Sequence, residues 1–251
     1  MTSLPLSGKR VVITRPQHQA ISLKKPLEAL GAEVVQTPVI RIEPPEDLEP
    51  IIQAITRLDE YDWIIFTSVN GVHAFLEKAQ VTVRNRIAAI GPATAEALES
   101  HGLHASVLPK RFVAESLFDA LEKFTDIKGQ SFLLPRADIA RETLPNMLQS
   151  AGAIANVIVA YRTVTSPQDV WRANALVRSG EVDAVTFTSG STVRSFFSEH
   201  DAIVRELCVP ASIGPITSKA LREIQVEPII EAKYYSIAGL VEAIHEHFSK
   251  E

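Results

Sequence analysis

Asp62-Trp63-Ile64-Ile65-Phe66-Thr67-Ser68, followed by Val72 and Phe75, returns 121 positions later as Asp183-Ala184-Val185-Thr186-Phe187-Thr188-Ser189, followed by Val193 and Phe196. Each copy is a short, mostly apolar run that ends in Thr-Ser and then shows apolar residues at helical spacing. That pattern reads as a buried strand running straight into a helix. Ile90-Gly91-Pro92-Ala93-Thr94 returns as Ile213-Gly214-Pro215-Ile216-Thr217, and Ala97-Leu98 as Ala220-Leu221. The match extends outward: Lys110, Phe112 and Leu117 pair with Lys233, Tyr235 and Leu240, Gly8 and Arg15 with Gly129 and Arg136, and Gly31-Ala32 with Gly152-Ala153. The chain therefore reads A–B–A–B, over 8–41, 60–125, 128–163 and 181–248. A period this long means two similar domains and not a short-repeat solenoid.

Each half alternates strands and helices. Val11–Thr14, Val34–Val39, Trp63–Thr67, Phe132–Leu134, Ile154–Val159 and Ala184–Thr188 are predicted strands. Gln19–Leu30, Val69–Leu76, Ile139–Ala151 and Thr192–Phe197 are predicted helices, two of them closed by Gly31 and Gly152. Such alternation predicts an α/β fold with a parallel, doubly wound sheet in each domain. Ile42–Asp47 and Val164–Asp169 lie outside the repeat, each just beyond an arginine and each with proline and acid, and read as linkers. Linkers at equivalent places predict one discontinuous domain, 1–40 with 167–251, and one continuous domain, 43–163, with the linkers near 41–47 and 163–169.

Composition narrows the function classes. At 251 residues, 46% apolar and 22% charged, the chain has the make-up of a water-soluble folded protein. A net charge of −5 with scattered Lys and Arg argues against a general nucleic-acid binder. A single cysteine, Cys208, cannot form an internal disulfide and suits a reducing compartment; it reads as a small buried hydrophobe. The N-terminus, beginning Met1-Thr2-Ser3, lacks the order of a secretory leader, and the longest apolar stretch, Ile154 to Tyr161, is too short for a bilayer span. The expectation is a cytoplasmic protein.

In open parallel sheets ligands bind beyond the carboxyl ends of the strands. Here those ends carry Thr14-Arg15-Pro16, Thr67-Ser68-Val69-Asn70-Gly71, Gly91-Pro92-Ala93-Thr94, Pro135-Arg136-Ala137-Asp138, Thr188-Ser189-Gly190-Ser191-Thr192 and Gly214-Pro215-Ile216-Thr217. Most open a helix, whose unpaired N–H groups favour anions. Taken singly, Ser68, Ser189, Thr94 and Thr217 read equally well as helix caps; taken as two matched sets they suit a ligand with several carboxylates. No G-x-G-x-x-G, Walker A or G-x-S-x-G pattern occurs. His101 and His104, and His245 and His247, read as solvated side chains and not as metal ligands, and Glu46-Asp47 and Glu199-His200-Asp201 as solvated loop charge.

Val12-Ile13-Thr14-Arg15-Pro16, the Phe-Thr-Ser strand ends, both Ile-Gly-Pro-x-Thr segments and Val159-Ala160-Tyr161-Arg162-Thr163 resemble the uroporphyrinogen-III synthase family, and the resemblance runs from about Gly8 to Phe248. It implies two similar flavodoxin-like-related domains joined by a two-stranded β-ladder hinge made from the linkers, with the active-site cleft between the domains. It implies a cyclising lyase that converts hydroxymethylbilane, a linear tetrapyrrole with eight carboxylates, into uroporphyrinogen III, with loss of water and inversion of ring D, on the route to haem and other tetrapyrroles. No cofactor or metal is implied. Tyr161 takes the place of the family's candidate proton donor, with hinge packing as its ordinary alternative. Ser68, Asn70, Thr94, Arg141, Ser189, Ser191 and Thr217 fall where the family contacts substrate, with Arg15 and Arg136 beside them. A monomer in transient contact with hydroxymethylbilane synthase is the implied state, without membrane or nucleic acid. A hinged sensor of a small polyanion is one rival, but it would need an output segment that the chain is not expected to carry. A receiver-like pair is another, but it would need clustered acids where Thr14-Arg15-Pro16 stands.

Overall fold

The apolar runs form strands whose side chains are buried on both faces, as a parallel sheet covered by helices requires. The computed structural model describes residues 4–81 and 85–250; the first three residues, read above for a leader, lie outside that range. Along the chain the elements are β1 (Arg10–Ile13), α1 (Gln17–Ala29), β2 (Glu33–Gln36), β3 (Ile40–Glu43), α2 (Glu49–Thr56), β4 (Trp63–Phe66), α3 (Val69–Leu76), β5 (Arg86–Ala89), α4 (Pro92–Ser100), α5 (Ala114–Phe124) and β6 (Ser131–Ala137). They continue with α6 (Thr143–Ser150), β7 (Ile154–Thr165), α7 (Pro167–Arg178), β8 (Ala184–Phe187), α8 (Gly190–Phe196), α9 (Ala202–Leu207), β9 (Pro210–Ser212), α10 (Pro215–Glu223), β10 (Ile230–Glu231) and α11 (Ile237–Phe248).

The chain divides into two compact units, Met1–Arg41 with Val164–Glu251, and Ile42–Thr163. The first unit holds a sheet of order β10-β9-β8-β1-β2, with all its pairs parallel. The second holds β3-β7-β6-β4-β5, in which β5-β4, β4-β6 and β6-β7 are parallel. By the repeat, β6 and β7 are copies of β1 and β2, and β4 and β5 are copies of β8 and β9. Even β10 has a counterpart: Ile230 pairs with Ala211, and the equivalent Val107 bridges Ala88 in parallel. The first sheet thus has the doubly wound order 2-1-3-4-5, in which the winding reverses between the first and third strands, and the second places the equivalent strands in the same order with β3 added beside β7. In the first unit that point lies between β1 and β8, in the second between β6 and β4.

Strand alternation divides each core into two layers. Val12, Val185 and Phe187 face α7, α8, α9 and α10, while Val11, Ile13 and Ala184 face α1 and α11. In the second unit Ile64, Phe66 and Leu133 face α2, α3 and α4, while Trp63, Ile65 and Phe132 face α5 and α6. Burial of side chains such as Phe66 and Phe187 contributes about 1.5–3 kcal/mol each. Asp62 and Asp183 fix the two repeats alike: their carboxylates accept from the N–H of Ser131 (2.8 Å) and of Arg10 (2.7 Å), which open the neighbouring strands.

Several boundaries differ from those expected of the sequence. Helix α6 begins at Thr143 and not at Ile139, because the Arg136 side chain donates to the Arg141 carbonyl (3.0 Å) and pairs with Glu142, closing residues 138–142 into a loop. Strand β7 runs on to Thr165, beside β3, so Ile42 and Glu43 of the first linker are strand residues. Pro167 opens α7 and is not linker, as suits a proline at the first helical position. Among the described residues no helix is long and apolar enough to cross a membrane.

Candidate active site

In the second unit, β4 ends at Phe66 and the chain turns through Ser68 into α3. Ser68 has extended backbone and caps the helix, its Oγ accepting from the Gly71 N–H at 3.0 Å. The same Oγ lies 3.0 Å from the Tyr161 hydroxyl, and Asn70 also hydrogen-bonds that hydroxyl. Ser68, Asn70 and Tyr161 therefore form one cluster at the carboxyl edge of the sheet. There is little room to spare: a Cβ at Gly71 would stand 3.0 Å from the Pro135 carbonyl oxygen.

Tyr161 reaches this place through an irregularity. Arg136 pairs with Val159 but Ala137 pairs with Tyr161, so β7 carries an extra residue there. Regular alternation would put Tyr161 on the face of Val157 and Val159. Instead Ala160 (1% exposed) and Tyr161 (6%) both pack in the layer with Ile158, Phe66 and Phe75. Burial pushes the phenol above its ordinary pKa and the nearby Asp138 carboxylate adds to the rise, while the hydrogen bonds from Ser68 and Asn70 pull the other way. The hydroxyl is protonated throughout the neutral range.

Thr94 is buried in the first turn of α4, beyond Gly91-Pro92. Gly91 lies under the Phe112 ring, where a Cβ would meet Cγ at 3.1 Å. The repeat builds the same contact in the first unit: Thr217 is buried in the first turn of α10, and a Cβ at Gly214 would meet the Tyr235 ring at 2.8 Å. Ser189 caps α8 by accepting from the Thr192 N–H (3.3 Å) and sits 2.9 Å from Ser191 Oγ. Arg15, just past β1, donates to Ser22 Oγ (3.2 Å) and Gln19 Oε1 (3.4 Å); its Nε is buried without a partner, and burial lowers its pKa. It stays cationic, as guanidinium does in proteins. Its equivalent Arg136 is held in the loop closed by Glu142, with exposed Arg141 contributing its carbonyl.

One polar group was not foreseen. Ser212 Oγ accepts from the Gly214 N–H (3.2 Å) and from Ser218 Oγ (2.9 Å), and Ser218 also bonds the Glu231 carboxylate. Its members sit on β9, α10 and β10, so no local pattern marks them. His101 is not simply solvated, since its Nε2 lies 3.1 Å from His73 Nδ1. Among the described residues no group of three or more His, Cys, Asp and Glu could hold a metal ion. Cys208 is buried, which raises its pKa.

A family model described as uroporphyrinogen-III synthase HemD matches residues 21–242. A uroporphyrinogen-III synthase of Synechococcus elongatus is 31% identical, over 98% of this chain and 98% of its own length. The chain belongs to the uroporphyrinogen-III synthase family. A second uroporphyrinogen-III synthase, from Chlorobaculum parvum, is 30% identical over 95% of this chain and 98% of its own. The fold is that of a mutant uroporphyrinogen III synthase from Thermus thermophilus, matched with a TM-score of 0.71 at 20% identity, over 97% of this chain and 100% of that one.

Proposed function

We propose that the chain carries out the family's reaction, closure of hydroxymethylbilane to uroporphyrinogen III with loss of water, and that Tyr161 is its proton donor. The observation that carries this is the Tyr161 hydroxyl held by Ser68 and Asn70 at the carboxyl edge of the second unit's sheet. As the pyrrole nitrogen's electron pair expels the terminal hydroxyl, Tyr161 supplies the proton and water leaves. The proton lost from ring carbon at closure returns to the phenolate, so the sum is bilane to macrocycle plus water. Burial disfavours the transient phenolate, and the hydrogen bonds of Ser68 and Asn70 offset that cost.

The carboxylates would be taken up by the strand ends: Ser68, Asn70, Thr94 and Arg141 in one unit, Arg15, Ser189, Ser191 and Thr217 in the other, while Arg136 braces its own loop through Glu142. Backbone N–H groups at the helix starts add to them. Holding the flexible bilane near one attack geometry favours the inverted closure over the uncatalysed one. β3 and β7, which carry both crossings between the units, would serve as the hinge. We take the enzyme to work as a cytoplasmic monomer supplied by transient contact with hydroxymethylbilane synthase; its single, buried cysteine fits a reducing compartment.

The test generates hydroxymethylbilane in place with its synthase and separates the type I and type III isomers after oxidation. Wild-type protein is expected to give type III. Tyr161→Phe is expected to lower kcat about 10²- to 10⁴-fold with KM little changed. Type I alone from folded wild type would overturn the reading, and an unchanged kcat in the variant would remove Tyr161 from it.

A further inference from the structure

The repeat gives a direct comparison for Tyr161. Its counterpart in the first unit is Ile40, and the counterpart of Asp138 is Gln17, already the first residue of α1. The second unit thus departs from its copy at both positions together. Asp138 grips β7 just beyond the irregularity: its N–H donates to the Tyr161 carbonyl at 3.0 Å, and its Oδ1 accepts from the Thr163 N–H at 3.2 Å. These bonds straddle Arg162, immediately after the extra residue that β7 takes in between Val159 and Tyr161. Ala137 to Tyr161 is the last pair of the register between β6 and β7, so the Oδ1 bond to Thr163 carries the grip on β7 past Tyr161. A slip of one residue would return the ring to the face of Val157 and Val159.

We propose that Asp138 is a positioning residue for Tyr161, clamping β7 on either side of Arg162 so that the bulge holds the phenol against Ser68 and Asn70. The proposal rests on the reading of Tyr161 as proton donor, but its geometry can be measured apart from turnover. That the carboxylate is close enough to oppose ionisation of the phenol agrees with the placement. Asp138 itself is exposed, so its role is not one of core packing.

The experiment compares Asp138→Ala and Asp138→Asn in the full chain, by steady-state kinetics and by crystal structure. Asn keeps an Oδ1 that accepts from Thr163, and Ala does not. Asp138→Ala is expected to lose about 10- to 100-fold in kcat with KM within twofold, since a misplacement of about 1 Å can cost 10²-fold. In its structure the Tyr161 hydroxyl should leave hydrogen-bond distance of Ser68. Asp138→Asn should recover most of both. A Tyr161 that stays 3.0 Å from Ser68 in Asp138→Ala, or an Asn variant as impaired as Ala, would overturn the proposal. A displaced ring in Asp138→Ala together with full activity in Tyr161→Phe would instead sink the proton-donor reading and leave the positioning intact.

Discussion

Arg15 and Arg136 hold the same place in the two copies, and their surroundings set them apart. Arg136 is neutralised within its own loop by Glu142. Arg15 has two neutral partners and a buried, unbonded Nε. A largely desolvated cation without a counter-charge is costly unless an anion completes it, and a substrate carboxylate is such an anion. Arg15→Gln should therefore raise KM about 10- to 100-fold, the worth of a charge-assisted bond of about 1.5–3 kcal/mol. Arg136→Gln should leave KM within twofold. Steady-state kinetics in the coupled assay separates them, and equal effects would contradict this division. Neither arginine's surroundings were legible in the sequence, which aligned the two as equals; Gln19 and Ser22 lie on α1, whereas Glu142 lies in a loop that local pattern had assigned to a helix.

At the scale of elements the repeat shows a flaw in one copy. α4 and α10 end alike, with the Leu103 N–H on the Leu98 carbonyl and the Val226 N–H on the Leu221 carbonyl, both at 3.0 Å. The left-handed residue in that motif is Gly102 (φ +74°) in one and Gln225 (φ +62°) in the other. A side chain there costs roughly 1 kcal/mol. Gln225→Gly should stabilise the protein by about that amount and raise Tm by about 2–4 °C; a thermal scan showing no rise would refute it. The elements themselves were largely legible, because strands buried on both faces read as apolar runs and α3 follows its helical spacing from Val69 to Leu76. What local pattern missed was set by distant partners. β7 extends to Thr165 beside β3, and α6 starts late because Arg136 reaches forward to Glu142. The site follows the same division. Its strand ends could be found by pattern, but Ser68 and Tyr161 meet across 93 residues, and the bulge that permits it has no signature in composition or period. The place of Tyr161 came from family resemblance.

At the scale of the whole molecule, two copies of one plan are threaded differently: Ile42–Thr163 is continuous and the other unit is closed by both ends of the chain. The continuous unit has helices on both faces of its sheet and its own two core layers. Expressed alone, residues 42–163 should fold and unfold cooperatively; a chain with helical circular dichroism but no sharp thermal transition would contradict this. The other unit cannot finish so early. β1 lies between β2 and β8, and the hydroxyl of Thr14 donates to the Thr186 carbonyl across 172 residues. On a ribosome adding about 5–20 residues per second, β1 waits roughly 10–30 s with one edge bare before β8 emerges. An uncovered strand edge is a template for wrong partners. Birth order is thus written into the threading: the middle of the chain can mature first, and the N-terminal strands are the part of the newborn protein most in need of a chaperone.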